Sequence, residues 1–344
     1  MSKFSKQFTA LAKKSESIAI TSHLSPDEDA IASVLSLYHY LKDKFPQKNI
    51  TPFLVSTSLN QYQSFSGFSD IKFVSDIKDH LSDKDLLIML DGSQYSRFTN
   101  NPKAIKEFPG KTICIDHHRN QPDDFDLSLV KDDATSATEL IYNHFYKDQD
   151  ISPKIAQILL MGILGDTGNF AYLPPSQSHV FSIAQRLLTL ADTDIQSLQS
   201  RYRSIDPQIF KLIKQLINNT DHHQIENWPP AQTSFLTRQD TQDSLPAQIS
   251  EASHIYMSHY LRHLTGYPWG AVFTPKPDNS VKISLRSLPD VVNVRHIVER
   301  IGIGGGHDLA AGGTYQSESD QAQKVKEAKQ NFLDWLQNNR PNSK

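Results

Sequence analysis

The stretch "KTICIDHH" (residues 111–118) carries a short apolar run straight into one carboxylate and two imidazoles. A run of this length between polar residues reads as a buried strand. Polar groups that directly follow such a strand sit at its carboxyl end, where open parallel sheets bind their ligands. Whether the sheet is parallel depends on the surrounding sequence. "SIAITS" (17–22), "ITPFLVS" (50–56) and "DLLIML" (85–90) read as further buried strands. Between and after them lie helical patterns: about 26–45, with Ile31, Val34, Leu35, Tyr38 and Leu41 on one face, and "TSATELIYNHFYK", "SPKIAQILLMGIL" and "SQSHVFSIAQRLLTLA". This alternation predicts an α/β fold whose N-terminal domain has a mainly parallel sheet flanked by helices.

Beyond residue 190 the pattern changes. "DPQIFKLIKQLINNT" (206–220) reads as an amphipathic connecting helix and "ENWPPAQ" interrupts it. "TSFLTR", "GAVFTP" and "SVKISLRS" then read as strands, and "AQISEASHIYMSHYLRHL" and "NVRHIVERI" as helices. The expected organisation is a catalytic domain over 1–190, a helical connector over 191–222 and a smaller C-terminal α/β domain over 223–340.

The chain has 344 residues, a formal charge of −3, 38% hydrophobic residues and a single cysteine, Cys114. That length suits two domains. One cysteine excludes an intrachain disulfide and a thiolate metal cluster. The charge provides no extended basic track for long nucleic acid. No apolar run reaches the length of a membrane span, and the first residues read as an amphipathic helix rather than a signal peptide. A cytoplasmic protein without membrane contact is the expectation.

Three strand runs end in metal-capable side chains: "SIAITS" in His23, "DLLIML" in Asp91, and "KTICI" in Asp116, His117 and His118. "SHLSPDEDA" (22–30) adds Asp27 and Asp29, with Ser25 as helix N-cap, Pro26 at the first helical position and Glu28 closing a capping box. Acids at a helix start also complement its dipole, and Asp166 in "GILGDTGNF" is by itself an ordinary turn residue. Together, imidazoles and carboxylates without sulfur suit octahedral divalent ions, manganese ahead of magnesium. Two such ions about 3.5–4 Å apart serve in-line displacement at phosphorus. The second triplet, Asp221-His222-His223, follows a helix and two asparagines, so it reads as an exposed helix-to-strand connection.

In this order, "HLSPDEDA", "LLIMLDGS", "CIDHH", "LGDTG" and "GIGGGHDLAAGG" (302–313) resemble the DHH phosphoesterases that carry a DHH-associated C-terminal domain, and within them the NrnA-type nanoRNases and pAp phosphatases. The resemblance spans nearly the whole chain. It implies one metal held by His23, Asp27 and Asp91 and a second held by Asp29, Asp91, His117 and Asp166. It also implies His118 facing the substrate phosphate and Asp116 orienting the histidine pair. One departure is Ala32, where the family commonly has glycine; tighter local packing is expected there.

The glycine run Gly304-Gly305-Gly306-His307 matches neither a dinucleotide fingerprint nor a P-loop. Taken alone it also reads as a flexible hairpin or loop. Over 280–303, Lys282, Arg286, Arg295 and Arg300 outnumber Asp290 and Glu299. The resemblance implies that Gly304, Gly305, Gly306 and His307, with Arg286 and Ser287, grip the far end of the substrate across an interdomain cleft, where a base could stack on Phe170 or Tyr172. The expected activity is hydrolysis of very short oligoribonucleotides (nanoRNA, pApA) to mononucleotides, with removal of the 3′-phosphate of pAp as a second reaction. Cleavage of c-di-AMP and a non-catalytic nucleotide-binding regulator are the alternatives. Sequence leaves the oligomeric state open, a homodimer included.

Overall fold

In the computed structural model, which describes residues 2–56, 59–119, 121–203, 205–316 and 323–341, the chain forms two compact units, Met1–Ser204 and Ile205–Lys344. The division falls inside the span read as a connector.

The first unit is built on six parallel strands: β1 (Ser17–Thr21), β2 (Asn49–Val55), β3 (Lys72–Val74), β4 (Leu86–Leu90), β5 (Lys111–Asp116) and β6 (Leu127–Val130). Their order is β3-β2-β1-β4-β5-β6, so the winding direction reverses between β1 and β4. Such a switch point leaves a crevice at the carboxyl ends of the strands. Side-chain alternation separates two apolar layers. Ile18, Ile20, Leu86, Ile88 and Leu90 face one set of helices, whereas Ala19, Leu87 and Met89 join Tyr95, Phe98 and Ile105 on the other side. The edge strands β3 and β6 were not expected from sequence, because runs of three and four residues carry too little periodicity to stand out.

Five helices of this unit matter below: α1 (Lys3–Lys14), α2 (Glu28–Lys44), α3 (Ala137–Ile141), α4 (Pro153–Asp166) and α5 (Val180–Ala191). The start of α2 corrects the sequence reading. Ser25 is not its cap; Asp27 is, accepting from the Ala30 amide at 3.1 Å. The reason lies upstream, where Leu24 N donates to Arg97 O at 2.8 Å and holds the chain out of helical conformation. Ala32 is fully buried, and a Cβ built on Gly162 of α4 would lie 2.7 Å from its methyl and 2.3 Å from Thr138 Oγ1. The alanine on α2 is therefore matched by a glycine on α4.

The second unit has a mixed sheet in the order β11-β12-β10-β9-β8-β7, formed by β7 (Asp221–His223), β8 (Ala231–Phe235), β9 (Trp269–Pro275), β10 (Val281–Ser287), β11 (Gly304–His307) and β12 (Ala310–Tyr315). One face packs on α8 (Val294–Ile301) and α9 (Lys324–Asn338). The other meets α6 (Pro207–Asn218) and α7 (Pro246–His259). The second Asp-His-His triplet is not a connection but the edge strand β7 itself, antiparallel to β8. His223 Nε2 lies 2.7 Å from Thr233 Oγ1, the His222 ring packs against Tyr267, and Asp221 pairs with Lys329. The glycine run is the hairpin strand β11; a Cβ on Gly304 would lie 2.1 Å from Gly312 O. Among the described residues no helix is long and apolar enough to cross a membrane.

Filling the Gly162 contact tests the α2–α4 packing. Gly162→Ala is expected to destabilise the protein by about 1–3 kcal/mol, the usual cost of an added methyl in a filled core, read as a lower urea midpoint. An unchanged midpoint would mean that the helices are free to move apart.

Candidate metal centre

The crevice at the switch point is lined from both sides of the reversal. β1 leads to His23, which is buried, and α2 brings Asp27 and Asp29 in its cap and first turn. β4 leads to Asp91, buried and held in the left-handed region at φ 58° while its amide donates to Ile115 O at 2.9 Å. Asp is one of the few side chains that visit this region, and a non-glycine residue held there marks stored strain. β5 delivers Asp116 as its last residue, then His117 and His118. Asp166 is the final residue of α4, not a residue of the turn that follows.

Asp91 is the hub. Its Oδ2 lies 3.2 Å from His23 Nε2, and its Oδ1 lies 3.4 Å from His117 Nε2 and 3.6 Å from His118 Nδ1. His23 Nε2 is also 3.8 Å from Asp27 Oδ1, and His117 Nε2 is 2.9 Å from Asp166 Oδ2. Three sets of donor atoms, each within 4.8 Å of one another, result: His23, Asp27 and Asp91; Asp29, His117 and Asp166; and Asp91, His117 and His118. All six residues expected as ligands thus converge, joined by His118.

Asp29 has a second task that the sequence hides. Its two oxygens accept the Ala137 and Thr138 amides at 2.7 and 2.9 Å, anchoring the start of α3. Asp116 stands back from these sets. Its Oδ1 accepts the His117 and His118 amides at 2.9 and 3.2 Å and meets His118 Nδ1 at 2.8 Å. It therefore holds the His118 ring directly and His117 only through the backbone. With Nδ1 engaged, Nε2 of the partly exposed His118 ring is the nitrogen left for a ligand.

Electrostatics show what the site needs. Burial and the neighbouring Asp91 and Asp166 push the Asp29 carboxyl well above its usual range; burial and nearby acids also raise Asp166. Against the cost of its own burial, Asp91 is pulled far below that range by His117 and His23. The same attraction overcomes burial at the imidazoles: Asp27 and Asp91 push His23 up to about 10, and Asp166 and Asp91 push His117 up to about 12. Protonated imidazoles thus supply the cationic charge in the metal-free chain. Asp91 Oδ1 and His117 Nε2 are nonetheless buried without an aligned hydrogen bond, a costly state for polar atoms. A divalent cation fits this set: it neutralises the carboxylates, takes up the unpartnered atoms and suits mixed oxygen and imidazole donors.

The residues expected to grip substrate belong to the second unit. Arg286 and Gly305 line a cavity there of about 630 Å³. Gly304, Gly306 and His307 are exposed on the hairpin, outside the cavity lining. Ser287 does not reach the cavity: it is fully buried, its hydroxyl donating to Leu288 O at 2.9 Å and accepting from Val292 N at 3.1 Å. In the first unit, a few residues past Asp166, Phe170 packs against Phe181 at 5.1 Å, and Tyr172 is 60% exposed. Sequence missed the left-handed run Gly168-Asn169-Phe170 that presents them: Gly168 and Asn169 favour such a backbone, whereas nothing about Phe170 announces it.

Residues 17–163 match the DHH family, N-terminal domain, and residues 248–338 match the DHHA1 domain. Over 325 residues, covering 94% of this chain and 97% of the relative, the sequence is 30% identical to the probable bifunctional oligoribonuclease and PAP phosphatase NrnA of Streptococcus mutans serotype c. Among solved structures, an exopolyphosphatase-related protein from Bacteroides fragilis aligns with a TM-score of 0.78 at 22% identity, over 98% of this chain and 99% of that one. Exonuclease RecJ bound to manganese aligns with a TM-score of 0.53 at 15% identity, over 98% of this chain and 95% of that one. At these identities the two structures speak for the fold alone.

Both imidazoles lie above the ordinary value of about 6.5. Their pairing therefore stabilises the metal-free fold in full below about pH 6.5, and that contribution is lost as pH rises through about 10 for His23 and about 12 for His117. An incoming ion must displace these protons, so Mn²⁺ affinity is expected to rise from pH 6 to pH 9. Calorimetry at pH 7.5 in buffers of different ionisation enthalpy should show release of at least one proton per ion. Binding with no proton release and no pH dependence would remove His23 and His117 from the ion's partners.

Proposed function

The chain belongs to the DHH family, and from that premise we propose that it is a metal-dependent phosphoesterase that hydrolyses very short oligoribonucleotides to mononucleotides and removes the 3′-phosphate of pAp. The observation that carries this reading is Asp91, buried with one oxygen toward His23 and the other toward His117. The near full-length match to a relative named for both activities supports the substrate class.

In this reading His23, Asp27 and Asp91 would hold one ion, and Asp29, Asp91, His117 and Asp166 would hold a second. Imidazole donors favour Mn²⁺ over Mg²⁺. When bound, the ions supply Lewis acidity and an activated water for in-line displacement at phosphorus. The chain's own groups do the rest. Hydrolysis joins a water oxygen to phosphorus and breaks the ester P–O bond, so the leaving oxygen needs a proton. His118 Nδ1–H donates to Asp116 Oδ1, so Nε2 delivers that proton from the imidazolium form, whose charge Asp116 stabilises. Asp116 also keeps both histidine backbones in register through their amides. Arg286 and the glycine hairpin bind the part of the substrate that does not react. The cytoplasm, where RNA fragments arise, is the compartment that this activity implies.

With Mn²⁺, the wild type is expected to cleave pApA, pAp and a five-nucleotide RNA, measured by chromatography of the nucleotide products. Asp91→Asn should lower kcat by about 10³-fold or more, since metal catalysis is worth several kcal/mol. Loss of a positioned proton donor in His118→Asn should cost about 10²–10⁴-fold. A wild type that leaves all three substrates intact defeats the reading.

A further inference from the structure

Asp116 takes up its donors unevenly. Its Oδ1 meets three N–H groups, the His117 and His118 amides and His118 Nδ1, at 2.9, 3.2 and 2.8 Å. A carboxylate oxygen offers about two lone-pair sites, so this one is crowded. Oδ2 of the same fully buried side chain has no aligned hydrogen-bond partner. The torsion that exchanges the two oxygens of an aspartate is broad and roughly twofold. Three donors on one oxygen therefore hold the carboxylate in place without fixing its plane.

A second unpaired group lies close by. Ser93, three residues past β4, is 1% exposed, and its hydroxyl is likewise buried without an aligned partner. Against the cost of its burial, the Asp116 carboxyl is held below its usual range by His118 and also by this hydroxyl, so the two side chains are within reach of each other. The backbone around Ser93 is pinned on several sides. Cys114 Sγ of β5 donates to Gly92 O at 3.2 Å, the Asp123 amide donates to Ser93 O at 2.8 Å, and the Tyr95 amide donates to Asp123 Oδ2 at 2.6 Å. What remains to the hydroxyl is rotation about its own torsions, and the unfilled acceptor it meets is Asp116 Oδ2. A buried donor and a buried acceptor, each costly alone, satisfy one another.

We propose that Ser93 is a positioning residue for the reaction: its hydroxyl donates to Asp116 Oδ2, fixes the plane of that carboxylate, and so keeps the His118 ring aimed at the leaving oxygen. This rests on the reading of the chain as a phosphoesterase with His118 as proton donor, but its test has an arm that needs no hydrolysis. The competing role for Ser93 is support of the loop that carries Asp91, two residues before it.

A double-mutant cycle on pApA hydrolysis separates the two roles, with Ser93→Ala, His118→Asn and their combination compared at saturating Mn²⁺. Ser93→Ala is expected to lower kcat by about 10–100-fold, the usual loss when an outer hydrogen-bond partner in a metal site is removed, with KM changed by less than about threefold. In the His118→Asn background the same substitution should cost less than about twofold, because residues that act through one another are not additive. An equal loss in both backgrounds, or one that disappears as Mn²⁺ is raised, assigns Ser93 to the Asp91 loop and overturns the proposal. The second arm is NMR of ¹⁵N-histidine-labelled protein with Mg²⁺. The His118 Nδ1–H proton, assigned by its absence from His118→Asn, should exchange with water about tenfold faster or more in Ser93→Ala than in the wild type, as expected when a protecting hydrogen bond opens more often. Equal exchange rates together with equal kcat overturn the proposal as well. A wild type that cleaves nothing overturns the enzymatic reading, and the exchange rates then decide whether Ser93 secures Asp116.

Discussion

Three acids, Asp29, Asp91 and Asp166, meet at one sheet edge, where low dielectric magnifies their repulsion. The rest of the first unit is arranged around keeping them there. In the metal-free chain the repulsion is offset by protonated His23 and His117, and at Asp29 by two backbone amides of α3. The same arrangement makes the edge receptive to a cation. A divalent ion would displace an imidazole proton and would engage Asp91 Oδ1 and His117 Nε2, which lack an aligned hydrogen bond.

Backbone conformation and helix packing impose this crowding. Asp91 is held in a left-handed backbone conformation between β4 and the loop that follows, and its amide is tied to β5. α2 and α4 approach closely because Ala32 faces Gly162, and that approach brings Asp166 at the end of α4 to the acids at the start of α2. Side-chain chemistry at the site thus depends on a close helix contact made at Ala32 and Gly162.

The second unit shows the opposite polarity. Its cavity is lined by Arg238, Lys276, Lys282 and Arg286 and by no carboxylate, with Lys276 paired to Asp278 beside it at 3.4 Å, in a protein whose overall charge is −3. Averaged over the chain the two cancel, so net charge conceals both sites. An acidic crevice and a cavity lined by cations are thus both present. Here they reside in separately packed units.

Much of this was legible in one dimension. Apolar runs identified β1, β2, β4 and β5, and the polar residues that close three of them, His23, Asp91 and Asp116 with its histidines, were visible because strand ends are local features. The Asp-His-His spelling at 221–223 shows the limit: the same letters form an edge strand with structural partners, since what surrounds them is not local. Residue order by itself determined the element types and the chemistry on offer at each strand end. Only the tertiary structure decided that β1 and β4 are neighbours, that Asp27 rather than Ser25 caps α2, that Asp29 anchors amides more than a hundred residues away, and that Lys276 and Lys282 share a cavity. Periodicity is written in adjacent residues, whereas strand order and helix contacts come from long crossovers that no short window of sequence contains.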